Sequence, residues 1–125
     1  MSKGGNQRGH RPISLSFQRL DVYKCAIQFL ALSTRLLAGV PRGHGPLTDQ
    51  LRRAALSMPL NIAEAAGRTS EADVARHYEI ARGSAMECAA IVDALHVLQL
   101  VEDDAHTEAI GLVARIVAMT TKLCR

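Results

Sequence analysis

A stripe of polar side chains in the segment SMPLNIAEAAGR offers the first residues whose types and spacing suit chemistry. Ser, Asn, Glu and Arg recur there at steps of four, three and four, so they share one side of a helix. Hydroxyl, amide, carboxylate and guanidinium groups in this arrangement can form a reactive site or hold two helices together. With the preceding arginine, the stripe consists of Arg53, Ser57, Asn61, Glu64 and Arg68.

A second stripe follows on the next predicted helix and contains His77, Ile80, Ser84, Glu87 and Ile91. Because only a tight turn separates the two helices, we expect them to pack antiparallel, with the two stripes in contact. Buried polar groups are costly unless they satisfy one another, so we predict a structural polar network that fixes the register of the two helices. Its predicted members are Arg53, Ser57, Asn61, Glu64, Arg68, Ser84 and Glu87.

A catalytic role for the same residues requires a nucleophile beside a base, or two acids in a cleft. The serines lack a histidine at their own level, since His77 lies two turns away from Ser84. We therefore predict no catalytic residues and a protein that is not an enzyme.

Metal binding also finds little support in the sequence. A bundle-core metal centre needs Glu-x-x-His on two helices, and none of the six glutamates has histidine three residues later. The nearest approach is Glu102 with His106, at four residues. The three cysteines, Cys25, Cys88 and Cys124, include no Cys-x-x-Cys pair, so neither a zinc site nor a disulfide framework is expected. We predict no metal and no cofactor.

The location of the protein is predicted from what its sequence lacks. The N-terminal residues have no apolar core typical of a secretory signal, and no stretch approaches the roughly 20 apolar residues that cross a bilayer. We expect a soluble, cytoplasmic protein with reduced thiols and no membrane partner.

Composition and periodicity both favour an all-α protein. Aromatic residues make up 3% of the chain, so Ala, Leu, Ile and Val must fill the core. We predict a disordered basic tail over residues 1–16 and an up-down-up-down antiparallel four-helix bundle over residues 17–125. The first three predicted helices cover residues 19–38, 47–66 and 71–100.

Local signals mark the ends of these helices. Ser70 is a good N-cap for the third helix, and Asp73 approximates a capping box. Asp103 or Asp104 is predicted to cap the fourth. Pro59 leaves two alternatives open for the second: a continuous helix that loses one hydrogen bond, at about 3 kcal/mol, or a break or kink.

The first helix carries two apolar stripes rather than one. One stripe suffices for a bundle core, so we expect the second to face another subunit, and the fourth helix shows the same feature. The sequence thus predicts a homo-oligomer. The first stripe contains Leu20, Tyr23, Ile27, Leu30, Thr34 and Leu37, and the second contains Cys25, Phe29, Leu32 and Leu36.

Positive charge is concentrated near the N-terminus. The net charge of +3 equals that of residues 1–16, which hold three basic residues and no acid. This tail is either an inert solubilising segment or an arm for nucleic acid. In an oligomer the basic residues would be multiplied, so we identify candidate contacts with RNA or DNA. They are Lys3, Arg8, Arg11, Arg35, Arg42 and Arg52.

The run QLRRAALSMPLNIAEAAGR, followed by YEIARGSAMECAAIVDAL, resembles a family of bacterial four-helix-bundle proteins. Some members are encoded within intervening sequences of 23S ribosomal RNA genes. The resemblance covers residues 17–101 and includes the opening pattern around Phe17 and Tyr23. One departure is Ala65, where the family usually has Gly.

The resemblance implies a ring-like homopentamer. It also implies a relation to the accessory proteins of diversity-generating retroelements, which share the pentameric bundle and bind a reverse transcriptase and nucleic acid. Two functions are therefore predicted. One is a non-enzymatic oligomeric scaffold that associates with RNA or DNA, and the other is a protein-interaction adaptor such as a reverse-transcriptase accessory subunit.

Overall fold

A computed structural model describes residues 12–125 of the protein. Within this range the chain forms one short 3₁₀ helix and four α-helices, with no strand, which confirms the all-α prediction. The 3₁₀ helix covers Ser16–Arg19, and the α-helices are α1 (Asp21–Ala38), α2 (Gly45–Ala66), α3 (Glu71–Val97) and α4 (Asp103–Leu123). None of these helices is long and apolar enough to cross a membrane.

The four helices surround one apolar core. α1 packs against α2 and α4, and α3 packs against the same two helices. Cross-helix hydrogen bonds show residue numbers that rise on one helix as they fall on the next: His96 bonds to Asp103, and Asp93 bonds to His106. The largest fully buried side chains are those of Phe29, Leu51, Met58, Ile62, Leu95 and Ile116.

The second stripe of α1, rather than the first, supplies most of the core residues of this helix. Cys25, Phe29 and Leu32 are buried in the core, whereas Leu20 and Ile27 are 37% and 39% exposed. The expectation that the stripe containing Phe29 faces another subunit is therefore wrong. Periodicity finds two apolar faces on α1, but the positions of α2 and α4 decide which face they cover.

Pro59 lies inside a continuous helix, so the alternative of a broken α2 is wrong. Proline cannot donate a backbone hydrogen bond, and the carbonyl of Ala55, four residues earlier, loses that donor. The proline ring is itself buried among the core residues of α2. Burial of its apolar surface offsets part of the lost hydrogen bond.

α3 ends three residues earlier than predicted because the chain reverses at Gln99. This residue has a φ of 62°, in the left-handed region that usually favours glycine. The N–H of Gln99 donates to the carbonyl of His96 at 2.9 Å, and the N–H of Leu100 donates to that of Leu95 at 2.8 Å. These two bonds form a Schellman motif, which terminates the helix without the glycine that would mark it in the sequence.

The caps of α3 and α4 differ in how well they were predicted. The Ser70 Oγ accepts a hydrogen bond from the backbone N–H of Asp73 at 3.1 Å, which confirms Ser70 as the N-cap. The predicted cap of α4 is wrong, because Glu102 occupies the N-cap position and its side chain makes no capping bond. Asp103 and Asp104 instead lie in the first turn, where their charges favour the positive end of the helix dipole.

The three cysteines are free thiols, as expected, but they are not equally protected. Cys25 and Cys88 are buried, whereas Cys124 is only partly covered. Burial, together with the nearby Glu87 carboxylate, raises the pKa of Cys88 to about 12. This thiol is therefore protonated near neutral pH and acts as a small apolar core group.

We expect Ser70→Ala to lower the free energy of unfolding by about 1 kcal/mol, because the N–H of Asp73 loses its acceptor. Chemical denaturation followed by circular dichroism at fixed protein concentration measures the change. Thr69→Ala, at an exposed position beside the cap, is the matched control and should have little effect. Equal stability of Ser70→Ala and the wild type would show that the cap does not contribute.

Candidate functional site: a polar seam between α2 and α3

Four polar side chains form a hydrogen-bonded chain where α2 packs on α3. We call this set the polar seam: Ser57 and Asn61 of α2, and His77 and Ser84 of α3. His77 is 7% exposed, and the other three are half-buried. No buried side-chain nitrogen or oxygen among residues 12–125 lacks a hydrogen-bond partner. The seam is thus a satisfied polar network within an otherwise apolar contact.

The two serines join the helices at one end of the seam. The Oγ of Ser84 donates to the Oγ of Ser57 at 2.8 Å. The Nδ2 of Asn61 donates to the same Ser57 Oγ at 3.1 Å and to the Ser57 carbonyl at 2.9 Å. Because a carbonyl can only accept, these bonds fix which end of the Asn61 amide carries the nitrogen.

That orientation also determines the tautomer of His77. The Oδ1 of Asn61 lies 3.0 Å from the His77 Nδ1, and an amide oxygen can only accept, so Nδ1 carries a proton. On the other side of the ring, Arg76 donates to Nε2 across 3.2 Å. A nitrogen that accepts from a guanidinium has no proton. The seam therefore fixes the orientation of the His77 ring, and both of its nitrogens lie within hydrogen-bond distance of a partner.

The hydrogen-bond order of the seam does not suit nucleophilic catalysis. A serine nucleophile needs a histidine nitrogen within hydrogen-bond reach of its hydroxyl. Both nitrogens of His77 are engaged by Asn61 and Arg76, and an amide separates the ring from Ser57. The hydrogen bonds instead hold four side chains of α2 and α3 in fixed positions, and so set the register of the two helices.

The structure brings together three of the seven residues predicted for the polar network: Ser57, Asn61 and Ser84. Glu64 and Arg68 form an exposed ion pair at 2.8 Å along α2 rather than a bridge to α3. Arg53 and Glu87 are exposed, and within the described residues neither makes a hydrogen bond or ion pair. Charged side chains stay in water here because burying an ion costs more than its contacts return.

His77 was placed on the facing stripe in the sequence, but its bond to Asn61 was not predicted. Histidine at position 77 and asparagine at position 61 lie 16 residues apart, and only the packing of α3 on α2 brings them together. The signal available in the sequence was the shared spacing of His77 and Ser84, seven residues apart on one helical face.

A second polar cluster was missed entirely. At the other end of α3, His96 Nε2 bonds to the Asp103 carboxylate and His106 Nε2 to the Asp93 carboxylate, both at 2.7 Å. The two imidazole rings stack with centroids 4.0 Å apart and planes 8° from parallel. This cluster ties the end of α3 to the start of α4. Among residues 12–125, no three His, Cys, Asp or Glu side chains are placed to hold a metal ion together.

The residues predicted to contact nucleic acid divide into two groups. Arg35, Arg42 and Arg52 are exposed near the α1–α2 turn, and Arg52 forms a surface ion pair with Asp49 at 3.0 Å. Lys3, Arg8 and Arg11 lie outside the described residues.

The fold and the polar seam place the protein in the class of all-helical proteins in which polar side chains join two packed helices. The family model of the 23S rRNA-intervening sequence protein matches residues 18–122, which is most of the chain. The protein belongs to this family. A search of curated proteins finds no match to the sequence.

We expect the bond between Asn61 and His77 to contribute measurably to stability. Asn61→Ala and His77→Ala each leave a buried polar partner unsatisfied, at about 1–3 kcal/mol. In a double-mutant cycle measured by denaturation, the double variant should therefore lose less than the sum of the single variants. The difference should be about 1 kcal/mol.

The exposed pair Glu64 and Arg68 provides the matched control cycle. Its two residues are four positions apart and bonded at 2.8 Å, but they remain in water. Its coupling should be about 0–0.5 kcal/mol. A coupling for Asn61 and His77 no larger than this control would show that the seam does not hold α2 and α3 together.

Proposed function

We propose that the protein is a non-enzymatic, homo-oligomeric helical scaffold that associates with RNA or DNA through the phosphate backbone. The observation that carries this proposal is a cluster of exposed arginines around the α1–α2 turn, Arg35, Arg42, Arg52 and Arg53. The segment between residues 34 and 57 contains four basic residues and one acidic residue, Asp49. The family name, which refers to an intervening sequence of 23S rRNA, agrees with a link to nucleic acid.

The mode of binding follows from the side chains available. Lysine and arginine contact phosphates without regard to sequence, whereas single-stranded bases are held mainly by aromatic stacking. Aromatic residues are 3% of the chain, and Phe17 and Tyr23 pack against each other with ring centroids 5.0 Å apart. In this proposal the protein therefore recognises the charge and shape of the nucleic-acid backbone rather than its base sequence.

The scaffold in this proposal is an up-down-up-down bundle that assembles into a ring, which we take to be a pentamer. The reversed numbering of the α2–α3 and α3–α4 contacts supports the antiparallel order. Short connections between the helices also favour it. Association is supported by apolar side chains left partly in water, such as Ile27, Leu56 and Leu60, which are 39%, 46% and 55% exposed.

We expect a mass several times that of the 13.5 kDa chain in solution, and five times if the ring is a pentamer. Native mass spectrometry or light scattering measures it directly. A single species at 13.5 kDa would contradict the oligomer and the multiplied basic surface together.

We expect the intact oligomer to bind RNA and duplex DNA with an affinity that falls steeply with salt, because binding releases counterions. Fluorescence anisotropy at about 50 and 200 mM salt measures this dependence. Arg35→Gln combined with Arg42→Gln should weaken binding at low salt. The two substitutions should also reduce the slope of log affinity against log salt concentration by up to about 2 for each copy in contact.

Lys24→Gln combined with Arg125→Gln is the matched control. It removes the same charge at exposed positions near the opposite end of the bundle and should change binding less. Absence of binding by the wild-type oligomer at low salt would reject the nucleic-acid function. Equal losses for the two double variants would reject the α1–α2 turn as its location.

The alternative function is that of a protein-interaction adaptor, such as a reverse-transcriptase accessory subunit. It is favoured by Val97 and Leu98 at the α3–α4 turn, which are 79% and 53% exposed. Two adjacent apolar side chains in water suit a protein partner rather than a nucleic-acid backbone. A reverse-transcriptase gene beside this one would support the adaptor.

A further inference from the structure

The two halves of the chain carry opposite charge. Residues 17–68, which include α1 and α2, hold seven basic and three acidic residues, for a net charge of +4. Residues 69–125, which include α3 and α4, hold five basic and nine acidic residues, for a net charge of −4. One side of each bundle is therefore attracted to the other side of a second copy.

An apolar groove lies on the basic half, between α1 and α2. Leu30, Thr34 and Ala38 of α1 form one wall, and Arg52 and Leu56 of α2 form the other. We call this the acceptor groove. It continues along α2, since Leu60 lies one turn beyond Leu56 and, at 55% exposed, borders a second hollow beside Glu64 and Arg68.

The acidic half presents an exposed face of α3, which we call the α3 ridge. Its exposed members are Glu79, Gly83, Met86, Ala90 and Asp93, spaced along one face of α3. Two acids at the ends enclose small or flexible apolar residues in the middle. Met86 is 45% exposed and is the one large apolar side chain of the ridge.

Gly83 has no internal reason to be glycine. A Cβ built at this position meets no atom within 4 Å, and the same is true of Gly111 on α4. Glycine inside a helix weakens it, and the usual compensation is the close approach of another backbone. Among residues 12–125 no atom approaches the site of a Cβ at Gly83, so this part of α3 leaves room for close packing by another molecule.

Charged side chains of opposite sign also lie near the ends of the two surfaces. Glu79 and Asp93 are 14 residues apart, or about 21 Å along α3 at 1.5 Å per residue. Arg52 and Arg68 are 16 residues apart, or about 24 Å along α2. Asp49, Glu64 and His106 partner three of these groups within the chain, but the contacts lie at the surface and can rearrange.

We infer that copies of this chain associate head to tail, with the α3 ridge of one copy seated in the acceptor groove of the next. This inference rests on the oligomer proposed above and identifies the two surfaces that form it. Because the surfaces differ, each copy uses both, and such a contact closes into a ring when the rotation between copies allows it. A two-fold contact formed by the basic half alone, or by the acidic half alone, would instead bring like charges together.

The test uses two variants, each of which blocks one surface. Leu60→Glu places an acid in the acceptor groove, and Met86→Glu places one at the centre of the α3 ridge, where association would bury it. Both positions are exposed, so the fold should persist, which circular dichroism checks. Leu98→Glu, at an exposed turn position outside both surfaces, is the control and should keep the wild-type mass.

Each blocked variant alone should have the 13.5 kDa mass of a single chain in native mass spectrometry. Their mixture should form a one-to-one dimer that grows no further, since the intact groove of one variant accepts the intact ridge of the other. A mixture that stays monomeric, or a blocked variant that keeps the wild-type mass, would overturn the head-to-tail assignment. A monomeric wild type would overturn the oligomer itself, which separates the two failures.

Discussion

The amide of Asn61 is the interaction on which the packing of α2 and α3 depends. Its nitrogen donates twice to Ser57, and its oxygen accepts from His77 on the other helix. An amide has few alternatives in a half-buried site, because any lost bond leaves a polar group without water. A shift of α3 by one turn would break the bonds to His77 and to Ser84 together. Apolar contacts alone, which are not directional, would tolerate such a shift far better.

α3 in turn connects the seam to the rest of the bundle. Its inner faces contact α2 through the seam and α4 through two further polar bridges. Arg82 donates to Thr121 at 2.8 Å, and the stacked pair His96 and His106 joins the far end. The helix thus has polar contacts that set its register against both neighbours.

The sequence predicted what depends on neighbours along the chain. Four helices, the N-cap at Ser70 and the stripe of Ser57 and Asn61 all follow from spacings of three or four residues. Features that depend on tertiary contact were missed or reversed. The core face of α1, which the positions of α2 and α4 determine, was assigned to the wrong stripe. Gln99 is a local exception, because it ends α3 in a left-handed conformation that its residue type does not indicate.

The same division explains the candidate site. Ser57, Asn61 and Ser84 are short enough for their polar atoms to meet between helices, so the predicted network holds for them. Arg53 and Glu87 share their spacing, but their charges favour water, and the structure leaves both at the surface. Spacing predicts the side of a helix on which a residue lies. It does not predict whether the side chain turns inward or outward.

Internal and external roles therefore fall to different residues of the same two helices. The seam holds α2 on α3 and leaves the outer side of each helix available for contacts with other molecules. If the α3 ridge fills the acceptor groove of the next copy, Arg42 lies beyond that contact, in the α1–α2 turn, and every copy adds it to the same rim. Each added copy then raises the local positive potential without placing like charges inside the interface. Head-to-tail contact is thus compatible with a basic rim, whereas burial of the α1–α2 turn between copies would remove the charge on which the proposed nucleic-acid binding depends.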